Sequence, residues 1–188
     1  MNKTFASLGI NASLVEALTN QHITEPTAVQ EQAVPAALKG HNLLVQAQTG
    51  TGKTLAFLLP IFQGIKKDAS MTQALIMAPT RELSEQLATV ADSFTPVTGL
   101  DILNLIGGKT IENQLQKLHR RTQVIIGTPG RLLDHCRRNS LDLSSVHYVV
   151  VDEADQMLQS GFLSEVDELI GMTPKKRQLL FFSATIPD

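Results

Sequence analysis

The chain has 188 residues, which fits one domain spanning 1–188 around a substantial core and leaves little room for two. Hydrophobic residues make up 43% and charged residues 18%, excluding the polar profile of a disordered segment, and the net charge of −2 excludes a broad basic field that gathers nucleic acid non-specifically. A lone cysteine, Cys136, excludes an internal disulfide, and no run has the ~20 apolar residues of a membrane span or the apolar core of a signal peptide, so a cytoplasmic location is expected.

Along the chain, Leu14–Leu18 and Val29–Leu38 read as helices packed beside a sheet. Six short runs rich in β-branched and apolar residues then read as strands: Asn42–Gln46, Gln73–Ala78, Asp101–Ile106, Gln123–Ile126, Val146–Val151 and Gln178–Phe182. Stretches of helical period separate most of them, at Lys53–Lys66, Arg81–Phe94, Ile111–His119 and Gly130–Arg138. Alternation of strand and helix predicts an α/β fold, a mainly parallel sheet with helices on both faces. The unbroken apolarity of Tyr148–Val151 and Leu179–Phe182 fits strands covered on both sides.

Each strand candidate runs into a small, polar or Gly-containing turn: Ala47–Thr54, Pro79–Leu83, Gly107–Lys109, Gly127–Arg131, Asp152–Asp155 and Ser183–Thr185. In an open α/β sheet the ligand crevice lies beyond the carboxyl ends of the strands, so these turns are expected along one functional edge.

Ala47-Gln48-Thr49-Gly50-Thr51-Gly52-Lys53-Thr54 follows a strand and opens a helix, the setting of a phosphate-binding loop. Gly50 and Gly52 allow the loop to turn successive N–H groups toward phosphate oxygens at a positive helix end. Lys53 is then the group for the β- and γ-phosphates of ATP, and the Thr54 hydroxyl a ligand to Mg²⁺. Ala47 stands where the general pattern has glycine.

Asp152 and Glu153, at the end of a strand, supply the acidic partner: Asp152 to hold Mg²⁺ directly or through water, Glu153 to orient and deprotonate the attacking water. By themselves the two carboxylates also fit an acidic helix N-terminus. Gln30 can pair bidentately with adenine, although taken alone its place on a helix favours a surface glutamine.

Taken together, these residues resemble the DEAD-box family of RNA helicases, of superfamily 2, whose name Asp152-Glu153-Ala154-Asp155 spells. In order stand Phe5, Pro26-Thr27 with Gln30 (the Q motif, in a segment of about 1–38), Ala47–Thr54 (motif I), Pro79-Thr80-Arg81-Glu82-Leu83 (motif Ia), Gly107-Gly108, Thr128-Pro129-Gly130-Arg131 (motif Ib), the tetrapeptide (motif II) and Ser183-Ala184-Thr185 (motif III). The resemblance runs from Phe5 to the chain end and accounts for Ala47, usual in that family. It implies a RecA-like P-loop NTPase domain in which Phe5 and Thr27 support an adenine pocket read by Gln30, and Asp155, Ser183 and Thr185 couple ATP to RNA. Pro79, Thr80, Arg81, Gly107, Gly108, Thr128, Pro129 and Arg131 are implied contacts to the sugar-phosphate backbone of RNA, a sequence-independent mode; on spacing alone, Arg81 and Arg131 equally read as helix-start arginines.

The resemblance further implies a second RecA-like domain carrying an arginine finger. The chain stops at Pro187-Asp188, just past motif III, so these residues alone are expected to hydrolyse ATP negligibly and unwind nothing. Two departures stand out: Ile23 where the family places an adenine-stacking aromatic, and Gln156 where it often has arginine. An RNA-binding adaptor without motor activity stays open as an alternative. So does another P-loop NTPase, although neither an Asn-Lys-x-Asp guanine reader nor an LSGGQ-like signature is present.

The basic groups Lys66-Lys67, His119-Arg120-Arg121, Arg137-Arg138 and Lys175-Lys176-Arg177 read as solvated surface charge, and Cys136 as a structural thiol. The histidines form no metal-binding pattern.

Overall fold

The computed structural model describes residues 3–108, 110–118 and 121–186. Lys109 of the expected Gly107–Lys109 turn, the helix end and basic pair at His119-Arg120, and Pro187-Asp188 therefore lie outside the described residues.

Helices α1 (Ala12–Asn20) and α2 (Ala28–Leu38) lead into β1 (Leu43–Gln46), α3 (Lys53–Gly64), β2 (Ala74–Met77), α4 (Arg81–Asp92), a short α5 (Thr95–Thr98) and β3 (Ile102–Leu105). Then come α6 (Ile111–Leu118), β4 (Val124–Gly127), α7 (Pro129–Arg137), β5 (Tyr148–Val151), α8 (Ala154–Gln159), α9 (Leu163–Gly171) and β6 (Gln178–Ser183). Local chemistry sets several starts: the Asn11 side chain accepts from the Leu14 N–H and opens α1, and the Thr80 hydroxyl accepts from the Leu83 N–H and opens α4. Pro129 sits in the first turn of α7, where a missing N–H costs nothing, so that helix starts one residue before the expected Gly130.

All six strands join one sheet in the order β1-β6-β5-β2-β4-β3, and every pairing is parallel. The register sets Gln46 beside Ser183, Met77 beside both Val151 and Gly127, and Gly127 beside Leu105. The carboxyl ends therefore line up, and the turns that follow them share one edge, as the sequence implies.

Alternation within the strands feeds two cores. Ala74, Ile76, Ile126, Val150, Leu180 and Phe182 pack with α1, α2, α3 and α4, while Leu75, Met77, Ile125, Val149 and Val151 pack with α7 and α9 on the other face. Both faces of the sheet are thus covered, the condition under which parallel strands are stable.

Some expected boundaries move. The α3 helix ends at Gly64 instead of Lys66, and α4 at Asp92 instead of Phe94, because Phe94 caps α5, with proline in its first turn. Helices α5, α8 and α9 are additions to the elements read from sequence. No helix among the described residues is long and apolar enough to cross a membrane.

Candidate active site

The phosphate-loop residues Gln48, Thr49 and Gly50 are exposed at the end of β1, and the loop closes on Gly52, whose φ of +90° is a left-handed value. Gly52 caps α3 with no side-chain hydrogen bond, leaving the amide end of that helix open toward an anion. A side chain at Gly52 would come 2.5 Å from the Gln30 amide nitrogen and 2.9 Å from the Thr27 hydroxyl, so the loop can pack against α2 only as glycine. Within the loop, the Thr51 hydroxyl donates to the Gln48 carbonyl at 2.7 Å.

Lys53 opens α3 and is only 6% exposed, yet its ammonium has no hydrogen-bond partner. Its one charge partner among the described residues is Asp152, with Nζ 4.0 Å from Oδ1. A buried, unpartnered ammonium is costly, and an anionic ligand would relieve that cost. Thr54, the next residue, is half-buried on the first turn of α3.

Asp152 follows the last residue of β5 and is 3% exposed. Burial pushes its carboxyl up to about 6, against the pull of Lys53 and of the Glu153 N–H it accepts at 2.9 Å; the neighbouring carboxylates Glu153 and Asp155 push it further up. Glu153 adopts a left-handed backbone (φ 50°, ψ 53°), rare for a residue with a side chain, and its carboxylate accepts from the Thr49 hydroxyl at 3.4 Å. Glu153 is also the cap residue of α8, so the acidic-helix-start reading describes its local setting while both carboxylates reach the phosphate loop.

This site fits a phosphate group with a divalent cation: an orphaned ammonium, an open helix end, two buried carboxylates and the Thr54 hydroxyl next along the chain from Lys53. No group of three or more His, Cys, Asp or Glu side chains able to hold a metal occurs among the described residues, so a cation here would need ligand oxygens from phosphate or water as well.

Gln30 is not the surface glutamine its helical position alone allows. It is 2% exposed, its oxygen accepts from the Thr27 N–H at 2.9 Å, and its amide nitrogen donates to the Gly52 carbonyl at 3.0 Å. Phe5 is buried in the core on the α2 side of the sheet, and Ile23 packs partly against that core. An open cavity of about 660 Å³ between α2 and β1 borders Thr27 at the start of α2 and the loop at Ala47 and Thr51, without reaching Lys53 or Asp152.

Asp155 links β5 to β6. Its carboxylate accepts from the Thr185 N–H at 3.1 Å and the Thr185 hydroxyl at 3.0 Å, while its own N–H donates to the Ser183 hydroxyl at 3.2 Å. What burial there is pushes this carboxyl up, but the hydrogen bonds from Thr185 and Ser183 outweigh it and hold it below the usual range. The Ser183 hydroxyl donates to the Thr185 carbonyl at 2.6 Å and closes the cluster.

Farther along the same edge, Pro79 is buried, and Thr80 and Arg81 are exposed where α4 begins. The Arg81 guanidinium lies against the glycine pair: a Cβ at Gly107 would come 3.0 Å from its Nη2, and one at Gly108, where φ is +84°, 2.6 Å from its Nη1. Thr128 caps α7 without a side-chain hydrogen bond, next to buried Pro129 and half-buried Arg131, whose Nη1 donates to Gln114 Oε1 at 3.1 Å. Arg81 and Arg131 do start helices; Arg81 also meets the glycine pair that follows β3, and Arg131 meets Gln114 on α6. Gln114 of this region is absent from the sequence reading, and His135 enters it only among the histidines that form no metal-binding pattern; the signal for Gln114 was a polar residue on the apolar stripe Ile111, Gln114, Leu115, Leu118 of α6.

The basic residues read as surface charge include Arg137, paired with Glu168 at 2.9 Å, and Arg138, paired with Asp134 at 2.7 Å, both well exposed. Burial pushes the Cys136 thiol up to about 11, as does charge on Asp142 and Glu168, which suits a structural role.

Comparison with known proteins agrees with this arrangement. The family model for the DEAD/DEAH box helicase matches residues 27–188. Among curated relatives, the ATP-dependent RNA helicase DeaD of Buchnera aphidicola (subsp. Baizongia pistaciae) is 42% identical over all of this chain and 31% of its own length. The RNA helicase CrhR of Synechocystis is 43% identical over 100% of this chain and 38% of its own, and DeaD of Escherichia coli K12 is 41% identical over 98% and 30%. The chain thus spans about a third of the length of these relatives. A crystal structure of a DEAD box protein from the hyperthermophile Methanococcus jannaschii superposes with a TM-score of 0.92 at 35% identity, covering 100% of this chain and 52% of that one. A parallel α/β domain with the phosphate loop, the acidic tetrapeptide and the motif turns on one edge, matched over nearly its whole length, belongs to the DEAD/DEAH box helicase family.

Proposed function

We propose that this chain is the ATP- and RNA-binding domain of a cytoplasmic, ATP-dependent RNA helicase that separates short duplexes locally. The observation that carries the reading is the buried Lys53 ammonium, without a hydrogen-bond partner and 4.0 Å from Asp152, at the open end of α3. Lys53 and the backbone N–H groups of Gln48–Thr54 bind the phosphates of ATP, and Gln30, with Thr27 and Phe5 behind it, contacts the adenine. Asp152 and the Thr54 hydroxyl hold Mg²⁺, which neutralises charge on the phosphate oxygens when bound. Glu153 orients the attacking water and accepts its proton. Ile23 offers adenine apolar contact without an aromatic face, which lowers nucleotide affinity.

Pro79, Thr80, Arg81, Gly107, Gly108, Thr128, Pro129 and Arg131 bind the RNA backbone, so recognition in this domain ignores base sequence. The hydrogen bonds joining Asp155 to Ser183 and Thr185 couple the nucleotide end of β5 to β6. In our reading residues 1–188 form one domain, and the longer protein carries a second RecA-like domain with an arginine finger. Since such a finger is worth ~10³–10⁵ in rate, the present chain alone hydrolyses ATP negligibly and unwinds nothing.

RNA-stimulated ATPase and unwinding assays on this chain and on the same chain joined to a second RecA-like domain test this. Turnover only in the joined protein is expected, and robust RNA-stimulated turnover by the 188 residues alone would refute it. Nucleotide competition tests the adenine contact: ATP should displace a fluorescent adenine nucleotide well and GTP poorly, and equal competition would remove the role given to Gln30.

A further inference from the structure

Gln114 is 3% exposed on α6 and spends its whole amide on neighbouring elements. Its nitrogen donates to the Ile106 carbonyl at 2.9 Å, at the end of β3 and next to the glycine pair. Because that nitrogen faces a carbonyl, the side-chain oxygen is the acceptor at the other end, where it meets Arg131 Nη1 at 3.1 Å and His135 Nε2 at 2.8 Å. An oxygen there requires a proton on His135 Nε2, leaving Nδ1 to face the Ser140 hydroxyl at 2.9 Å. His135 is 0% exposed, burial lowers its pKa with Arg131 adding to that, and the Ser140 hydroxyl also donates to the His135 carbonyl at 3.0 Å. One buried amide thus clasps the end of β3 and two residues of α7.

We propose that Gln114, oriented by His135, is a positioning residue that holds the Arg131 guanidinium and the Gly107-Gly108 turn as one RNA-binding surface. The inference rests on the reading of Arg131 as an RNA contact. Arg131 has a flexible side chain whose hydrogen-bonding edge must be turned toward phosphate, and a fixed acceptor removes much of the rotamer freedom that binding would otherwise have to freeze. Without that acceptor, RNA must order more of the guanidinium's freedom at its own expense. Arg81, which lies against the same glycine pair, brings a second cationic group into the same assembly.

The test is a double-substitution cycle in this chain, read as affinity for a fluorescent single-stranded RNA at low salt. Affinity for ATP and melting temperature are measured alongside. Gln114→Met removes both ends of the amide at nearly constant volume. We expect Arg131→Ala to weaken RNA binding about tenfold and Gln114→Met about fivefold. In the Arg131→Ala background, Gln114→Met should add less than about twofold, with ATP affinity unchanged throughout.

A full fivefold loss in both backgrounds would show Gln114 to be merely structural and overturn the proposal. So would wild-type RNA affinity in Gln114→Met while Arg131→Ala is weak, an outcome that leaves the RNA reading intact. If Arg131→Ala binds RNA normally, the reading of Arg131 fails and the proposal with it. Gln114→Asn draws the amide back by one methylene and keeps it polar; it carries the same expectations should the methionine variant not fold.

Discussion

Replacing Asp152 by asparagine should stabilise the protein in the absence of nucleotide and divalent cation. Burial holds this carboxyl at about 6, against an ordinary value near 3.8. At about 1.36 kcal/mol per pH unit, that displacement makes the ionised side chain cost up to about 3 kcal/mol of folding stability above pH 6. The sign follows from proton counting: between pH 3.8 and about 6 the folded chain binds more protons here than the unfolded one, so wild-type stability falls as pH rises through that window.

Asparagine resembles the protonated form and escapes this loss; the attraction of Lys53 is already contained in the value of about 6, so it takes nothing further from the gain. For a chain of this size about 1 kcal/mol corresponds to about 2–4 °C, so the variant should melt several degrees above wild type at pH 8 in a chelator. At pH 4 the two should melt together. The same substitution should remove Mg²⁺-dependent binding of ATP. A variant that melts at or below wild type at pH 8, or whose advantage is the same at pH 4, would refute the argument.

Gly108→Ala drives a Cβ to 2.6 Å from Arg81 Nη1 at a left-handed backbone position, so RNA affinity should fall about fivefold or more with ATP affinity intact; titrations with both ligands would check it. Cys136, with its thiol held at about 11, should react with a disulfide reagent at pH 8 far more slowly in the folded chain than in urea, and comparable rates would contradict its burial. Gly64→Ala should destabilise despite alanine's better helix propensity, because the new methyl would meet the Tyr148 hydroxyl; thermal melting should show Tyr148→Phe restoring part of the loss.

The fold was legible because strands buried on both faces must be apolar throughout, which makes Tyr148–Val151 or Ala74–Met77 stand out between helical stretches. The meeting of the glycine loop with the acidic pair was legible because each is a local pattern: Gly50, Gly52 and Lys53 lie within one turn, and Asp152-Glu153 directly follow a strand. Burial of Gln30 was not, since it depends on the Gly52 carbonyl that a separate element brings to it. Gln114 and His135 escaped for the same reason, because a polar residue on an apolar helix stripe reveals neither its partner nor its depth until α6 and α7 meet. Helix α9 carried a readable stripe in Leu163, Val166, Leu169 and Ile170, but α8, the short turn of helix before it, obscured where the pattern begins.

The left-handed backbone at Glu153 has a geometric consequence. Along an extended strand, adjacent side chains leave on opposite sides, so two neighbouring acids would normally face away from each other, one toward each layer of helices. Abandoning the strand conformation at this single residue, at a strain of about 1–2 kcal/mol, swings both acids to the phosphate side, one toward Lys53 and the other toward Thr49. A β-branched residue would resist that torsion and a glycine would accept it freely, so the backbone at this pivot tolerates small or flexible replacements, but none of them would keep the acid facing Thr49.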